Sequence, residues 1–186
     1  MTAGTLDLQD AFNELLEEER ACVEIIIALY TGATELPERE TLASLGTEHV
    51  RLCCTLRDEA DTRGFETSAQ MDPEMHDVIE VDRLDERLER FAAYLSNRRS
   101  TIERAQAVFA SSLLNVPIDE IEELRSRTAE WCIERAASFA ASRNLDFRIG
   151  RTGSLAAVDQ AQDGGTPIPE LKTDQSTSAP TASADE

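Results

Sequence analysis

Apolar residues recur at three- and four-residue steps along four stretches of the chain, and this spacing places side chains on one face of an α-helix. The first stretch begins at Asp7, a residue suited to cap a helix, and ends at Gly32. Its stripe consists of Leu8, Phe12, Leu15, Leu16, Glu19, Cys22, Val23, Ile26 and Tyr30. The pattern predicts an all-α fold, in which a carboxylate, Glu19, falls on an otherwise apolar helix face.

The remaining stretches predict three further helices. The second begins at Pro37 and ends at Gly64, the third covers residues 82–113, and the fourth begins near Ile118 and ends around Ser142. Residues 65–81 form a long link with one helical turn from Asp72. A link of this length lets the third helix cross to the far side of a bundle. The chain therefore reads as a helical domain over residues 6–142.

Residues 143–186 have a different composition, rich in Gly, Ser, Thr, Pro, Gln and Asp. Such a segment buries too little apolar surface to offset chain entropy. We expect a disordered, acidic C-terminal tail, with the stretch from Gly164 to Glu186 as its clearest part.

The chain carries 18 basic and 37 acidic residues, a net charge of −19. This charge repels phosphate backbones and anionic lipid, so neither nucleic acid nor a membrane surface is an expected partner. Residues 1–10 show no signal peptide, and the longest apolar run, residues 22–30, is interrupted by Glu24 and too short to span a membrane. We expect a cytoplasmic protein whose four cysteines are reduced.

Two segments carry a resemblance to a known superfamily. Residues 15–21, Leu-Leu-Glu-Glu-Glu-Arg-Ala, and residues 47–53, Thr-Glu-His-Val-Arg-Leu-Cys, resemble the first- and second-helix motifs of small bacterial ferritin-like proteins. The resemblance covers about residues 6–142. It implies a ferritin-like four-helix bundle and, in active members, a di-iron or di-manganese centre that takes a Glu from two helices and a Glu-x-x-His from the other two.

The chain departs from that ligand pattern. Glu19 stands at the first-helix carboxylate position, but no Glu-x-x-His occurs anywhere in the sequence. Arginines stand where ligands are expected, and a guanidinium stays protonated and repels a metal ion. We therefore predict no catalytic residue and no bound metal, and instead a charge network in the core made by Glu19, Glu48, Arg51, Arg98, Arg99 and Glu130.

Three functions remain open from the sequence. The first is a non-enzymatic ferritin-like bundle that acts as an interaction or structural module. The second is a carboxylate-bridged di-metal oxidase or iron-handling protein, with iron or manganese held by Glu19, Glu48, His49 and Glu130. The third is a tail-docked cargo or adaptor, because residues 149–155 resemble the Gly-Ser-Leu docking peptides of encapsulin cargoes. In a plainer interpretation, the same charges reach solvent and have no role.

The first helix also predicts self-association. Ile25, Ile27 and Leu29 add apolar surface beyond what one inward stripe requires. Exposed apolar patches of that kind commonly contact a partner. We expect a homodimer formed through this helix.

Overall fold

A computed structural model describes the backbone of residues 3–110 and 116–159, and the side chains of residues 8–110 and 116–143. Within these ranges the chain is helical and contains no strand. The all-α prediction is confirmed. The helices are α1 (Ala3–Gly32), α2 (Leu36–Arg63), α3 (Met75–Ile79), α4 (Leu84–Asn97), α5 (Arg99–Phe109) and α6 (Ile118–Asp159).

The first two helices end where the sequence predicts. Pro37 lies in the first turn of α2, where its missing N–H costs no helical hydrogen bond. Gly64 follows α2 in the left-handed conformation, with φ of 69°, and its N–H reaches the carbonyls of Ala60 and Asp61. The two helices pack closely, because a Cβ built on Gly46 would lie 3.2 Å from Ile26 Cγ2.

The predicted third helix is divided at Arg98. This residue leaves the helical conformation, with φ of −88° and ψ of 6°, and separates α4 from α5. Its guanidinium reaches Glu18 and Asp72, so the break places a cation against two other segments. α5 ends at Phe109, short of the predicted residue 113, and residues 111–115 lie outside the described chain.

The link between α2 and α4 packs along the first half of α1. Ser68 N–H donates to Asn13 Oδ1 at 3.0 Å, and the Phe65 and Phe12 rings meet edge to face at 5.8 Å between centroids. The predicted turn appears as α3, preceded by Asp72, whose Oδ1 accepts the Glu74 N–H at 3.0 Å. This face of α1 is therefore covered by the protein's own chain.

The last helix starts at Ile118, after Pro117, as predicted, but it continues to Asp159 instead of ending near Ser142. The segment beyond Ser142 contains Arg, Leu and Ala, which favour a helix. Each of its two glycines lowers the stability of the helix by only about 1 kcal/mol relative to alanine. By contacts the chain divides into residues 1–145 and 146–186. The predicted tail from residue 160 onward, and the side chains of the 149–155 segment, lie outside the described residues.

The core of residues 1–145 is built from the predicted apolar stripes. Its largest fully buried apolar side chains are Phe12, Leu15, Leu16, Ile25, Leu29, Leu42, Leu52, Leu56, Leu88, Phe91 and Ile121. Buried with them are charged side chains, notably Glu18, Glu19 and Arg125. None of the helices in the described part of the chain combines the length and apolar character that crossing a membrane requires.

Candidate functional site: a buried carboxylate and arginine network

Glu19 lies at the centre of the buried charges. It is fully buried because its position on α1 belongs to the apolar stripe. Its Oε1 accepts a hydrogen bond from Arg125 Nε at 2.7 Å, and its Oε2 lies 2.7 Å from His49 Nδ1. The other ring nitrogen of His49 lies 3.4 Å from Thr128 Oγ1. Both carboxylate oxygens of Glu19 are therefore satisfied by side chains from α2 and α6.

Glu18 adjoins this cluster and shares its cation. Arg125 Nη1 donates to Glu18 Oε2 at 2.9 Å, while Glu18 Oε1 accepts from Thr101 Oγ1 at 2.8 Å. Arg98 Nε lies 3.2 Å from the same oxygen. Arg125 thus bridges two neighbouring carboxylates of α1, and charge-assisted hydrogen bonds of this kind are stronger than neutral ones.

Arg98 extends the network to the link. Its Nε donates to Asp72 Oδ2 at 2.7 Å, and its Nη2 lies 2.9 Å from Glu74 Oε2. Tyr94 donates its hydroxyl hydrogen to Asp72 Oδ2 at 3.0 Å. The network, defined as Glu18, Glu19, His49, Asp72, Arg98, Arg125 and the hydroxyl groups bound to them, therefore joins side chains from the link and from every long helix.

The pKa values of the two neighbouring glutamates, Glu18 and Glu19, are shifted in opposite directions. Burial raises the pKa of Glu18 above its usual 4.5, and the attraction of Arg125 only partly offsets it. Burial also acts to raise the pKa of Glu19, but Arg125 and His49 together outweigh it and leave that pKa below 4.5. Glu19 is the firmly ionised member of the pair, because it has a guanidinium on one oxygen and an imidazole on the other.

The described residues contain one group of His, Cys, Asp and Glu side chains compact enough to share a cation. Its ligand atoms, from Glu19, Cys22 and His49, all lie within 4.8 Å of one another and are buried. Burial, aided by the charge of Glu19, raises the pKa of the Cys22 thiol well above its ordinary value. The group does not fit a di-metal centre, since the carboxylate such a centre needs is held at 2.7 Å by Arg125.

The structure brings together some of the residues that the sequence selected. Glu19, Arg98 and His49 belong to the network. Glu48 does not, because it is half-buried at the helix edge and pairs with Arg127 at 2.5 Å. Arg51 is exposed and pairs with Glu120 at 2.8 Å.

Arg99 and Glu130 also lie outside the network. Arg99 is exposed, and its closest carboxylates are Glu103 at 3.5 Å and Glu122 at 3.8 Å. Glu130 is exposed on α6. Successive helical residues point about 100° apart, and Glu48, Arg51, Arg99 and Glu130 have rotations about their helices that leave them half-buried or exposed.

Sequence reasoning missed Arg125, Glu18, Thr101, Thr128 and Asp72. One signal was present, because Ile121, Arg125, Thr128 and Cys132 recur at steps of four, three and four and so share one face of α6. An arginine on such a face needs a buried carboxylate partner. No comparable signal marks Asp72, which lies in the link and reaches the network through tertiary packing.

A second feature lies on the surface between α1 and α2. We call it the apolar groove; it has a volume of about 330 Å³ and is lined by Val23, Ile26, Ile27, Tyr30, Leu42, Ala43, Gly46, Thr47 and Val50. Ile27 is 52% exposed, Val50 46% and Tyr30 36%. Ile25 and Leu29, which the sequence placed on an outer face, are instead fully buried.

Comparison with known proteins identifies no relative. No family model, no curated protein and no solved structure matches the chain.

Proposed function

We propose that this protein is a non-enzymatic, ferritin-like four-helix bundle that acts as an interaction or structural module, with arginine–carboxylate pairs in place of a metal centre. The observation that carries this proposal is the position of Arg125, whose Nη1 and Nε pair with Glu18 and Glu19 inside the helical core. In a metal-binding ferritin-like bundle the carboxylates at this depth would hold a metal ion. In the proposed module they hold the guanidinium of Arg125, which is permanently charged.

A guanidinium in this place argues against redox chemistry at Glu19. Metal catalysis requires ligands that can be released to the ion and a coordination position open to substrate. Here Glu19 is fully buried and both its oxygens have side-chain partners. The same contacts suit a structural role, because they specify which faces of α1, α2 and α6 meet.

The apolar groove supplies the contact surface of the proposed module, and its occupant is a second copy of the chain. None of the residues that line the groove carries a charge, whereas the whole chain has a net charge of −19. Two such molecules repel each other over most of their surfaces. An uncharged, apolar patch is where that repulsion is weakest and where burial gains the most.

Metal handling remains the rival function, and the compact group of Glu19, Cys22 and His49 is the observation that favours it. In this alternative the site takes one ion and uses a thiolate. Neither Glu48 nor Glu130 belongs to this group, since Glu48 pairs with Arg127 and Glu130 is exposed. The tail-docked adaptor depends on residues 149–155, whose side chains lie outside the described chain.

Elemental analysis of the purified full chain tests the proposal. We expect no stoichiometric iron, manganese or zinc, and no oxidation of added ferrous iron faster than in buffer. Stoichiometric metal that is lost in Glu19→Gln and Cys22→Ser but retained in Glu48→Gln would replace the proposal with the three-ligand metal site. Metal lost in Glu48→Gln as well would restore the di-metal alternative.

A further inference from the structure

A cleft that is lined in part by Arg125 is not used by the proposed function. It lies between α4, α5 and α6, and its volume is about 370 Å³. Leu95, Ile102, Ala129 and Ile133 supply its apolar wall. Ile133 is 57% exposed, which leaves this wall open to solvent on one side.

Arg125 is the residue common to the network and the cleft. Its Nε and Nη1 are taken by Glu19 and Glu18, neither of which lines the cleft. Its Nη2 is buried and has no hydrogen-bond partner among the described residues. The side chain is only 4% exposed, and an unsatisfied buried donor is costly, since its hydration is lost without replacement. A buried donor beside a cleft with one apolar wall indicates a ligand that brings both an acceptor oxygen and an aliphatic part.

The surrounding charges select the kind of acceptor. Arg125 already faces two carboxylates, Glu18 and Glu19. The lining of the cleft adds the carboxylates of Glu122 and Glu130 and the guanidinium of Arg99. An anion would add a third negative charge around one guanidinium in a poorly solvated place. A neutral carbonyl accepts the same hydrogen bond without that repulsion.

We propose that this cleft binds a small neutral amphipathic molecule, with its carbonyl oxygen on Arg125 Nη2 and its aliphatic part against Leu95, Ile102 and Ala129. The chemical class is an amide or ketone with a short alkyl chain. This inference is independent of the metal question, because the nitrogen it uses makes no contact with Glu19 or Glu18. It is also independent of the apolar groove, which shares no lining residue with the cleft.

The test titrates the ¹⁵N-labelled full chain with three probes of similar size. N-butylacetamide carries a neutral carbonyl, valerate carries an anion, and butyltrimethylammonium carries no acceptor. We expect saturable amide shifts at Ile102, Ala129 and Ile133, and a shift of the Arg125 side-chain resonances, with N-butylacetamide alone. A ligand this small should show a Kd on the order of 1 mM.

Substitutions at the cleft locate the site. Ala129→Leu fills the cleft without removing a network residue and should weaken binding at least about tenfold. Ala93→Leu, at an exposed position of α4, is the matched control and should bind as the parent does. If Ala129→Leu does not fold, Ser126→Leu at the cleft margin serves instead.

Three results would contradict the proposal. Equal shifts with all three probes, or no saturation with N-butylacetamide up to about 50 mM, would mean that no ligand carbonyl reaches Nη2 and would overturn the proposal. Tighter binding of valerate would overturn the neutral-ligand assignment. Binding that persists unchanged in Ala129→Leu would place the ligand elsewhere.

Discussion

The Nε of Arg125 donates to Oε1 of Glu19 across 2.7 Å, although the two residues are 106 positions apart in the chain. Both side chains are buried, and the second guanidinium contact, to Glu18, leaves Arg125 between two carboxylates of α1. The pair therefore joins the first and last helices in a place where neither charge can be hydrated. A charge left there without its partner would severely destabilise the folded protein.

The first prediction is that Glu19 and Arg125 are coupled energetically. Glu19→Gln and Arg125→Met should each lower the free energy of unfolding by on the order of 3–5 kcal/mol, because each removes a charge-assisted hydrogen-bond partner from a group that stays buried. The double variant should lose much less than the sum. Urea unfolding of the four proteins measures the coupling.

The control cycle uses the exposed pair of Arg99 and Glu122, separated by 3.8 Å. Arg99→Met and Glu122→Gln should each change stability by less than about 0.5 kcal/mol and show no measurable coupling. Additive effects at Glu19 and Arg125, or a large effect at Arg99, would refute the buried network as the structural replacement for a metal centre.

The second prediction concerns the pH dependence of the two glutamates. The raised pKa of Glu18 means that its contribution to stability is present below its ordinary pKa of 4.5 and is lost as the pH rises through the raised value. The lowered pKa of Glu19 means the reverse: its contribution is present above 4.5 and is lost as the pH falls through the lowered value.

Carboxyl ¹³C NMR titration separates the two groups. Glu18 should titrate above 4.5 and Glu19 below it. Glu19→Gln should remove much of the acid-side loss of stability, whereas Glu18→Gln should flatten the decline above pH 4.5. Titration of both carboxyl groups together near 4.5 would show that they are exposed to water rather than held in the core.

The third prediction tests self-association through the apolar groove. Ile27→Glu and Val50→Glu should convert a homodimer to a monomer, because each places a charge in an uncharged contact surface. Light scattering at tens of micromolar measures the change. Ile133→Glu, at a similarly exposed isoleucine outside the groove, is the matched control. A parent protein that is monomeric at that concentration would contradict the dimer.

The fourth prediction is that residues beyond Leu145 are not required for the fold of the remainder. A fragment of residues 1–145 contains the whole network and should melt within about 4 °C of the full chain. A fragment of residues 1–130 removes buried Cys132 and Ala136, together with the Arg135 pair to Glu38, and should melt far lower. A large drop for the 1–145 fragment would show that the helix beyond it stabilises the core.

Local signals in the sequence were enough to predict the helices and several of their ends. Gly64 ends α2 because only a residue without a Cβ adopts a φ of 69° readily, and Pro117 precedes α6 because a proline has no N–H to give to a preceding turn. The burial of Glu19 was likewise predictable, since its place on the α1 stripe depends on residues within two turns of it. Helix ends and helix faces can therefore be predicted from the sequence, because both depend on residues that are near each other in the chain.

Tertiary structure alone decided which cation meets Glu19. The sequence offered Arg98 and Arg99 as adjacent candidates, but the chain leaves the helical conformation at Arg98, and the two side chains reach different surroundings. Arg98 pairs with Glu18 and Asp72, Arg99 faces solvent, and Arg125 of α6 takes Glu19. That choice depends on the rotation and depth at which α6 meets α1, which are set by the packing of the whole core and not by the residues adjoining either partner.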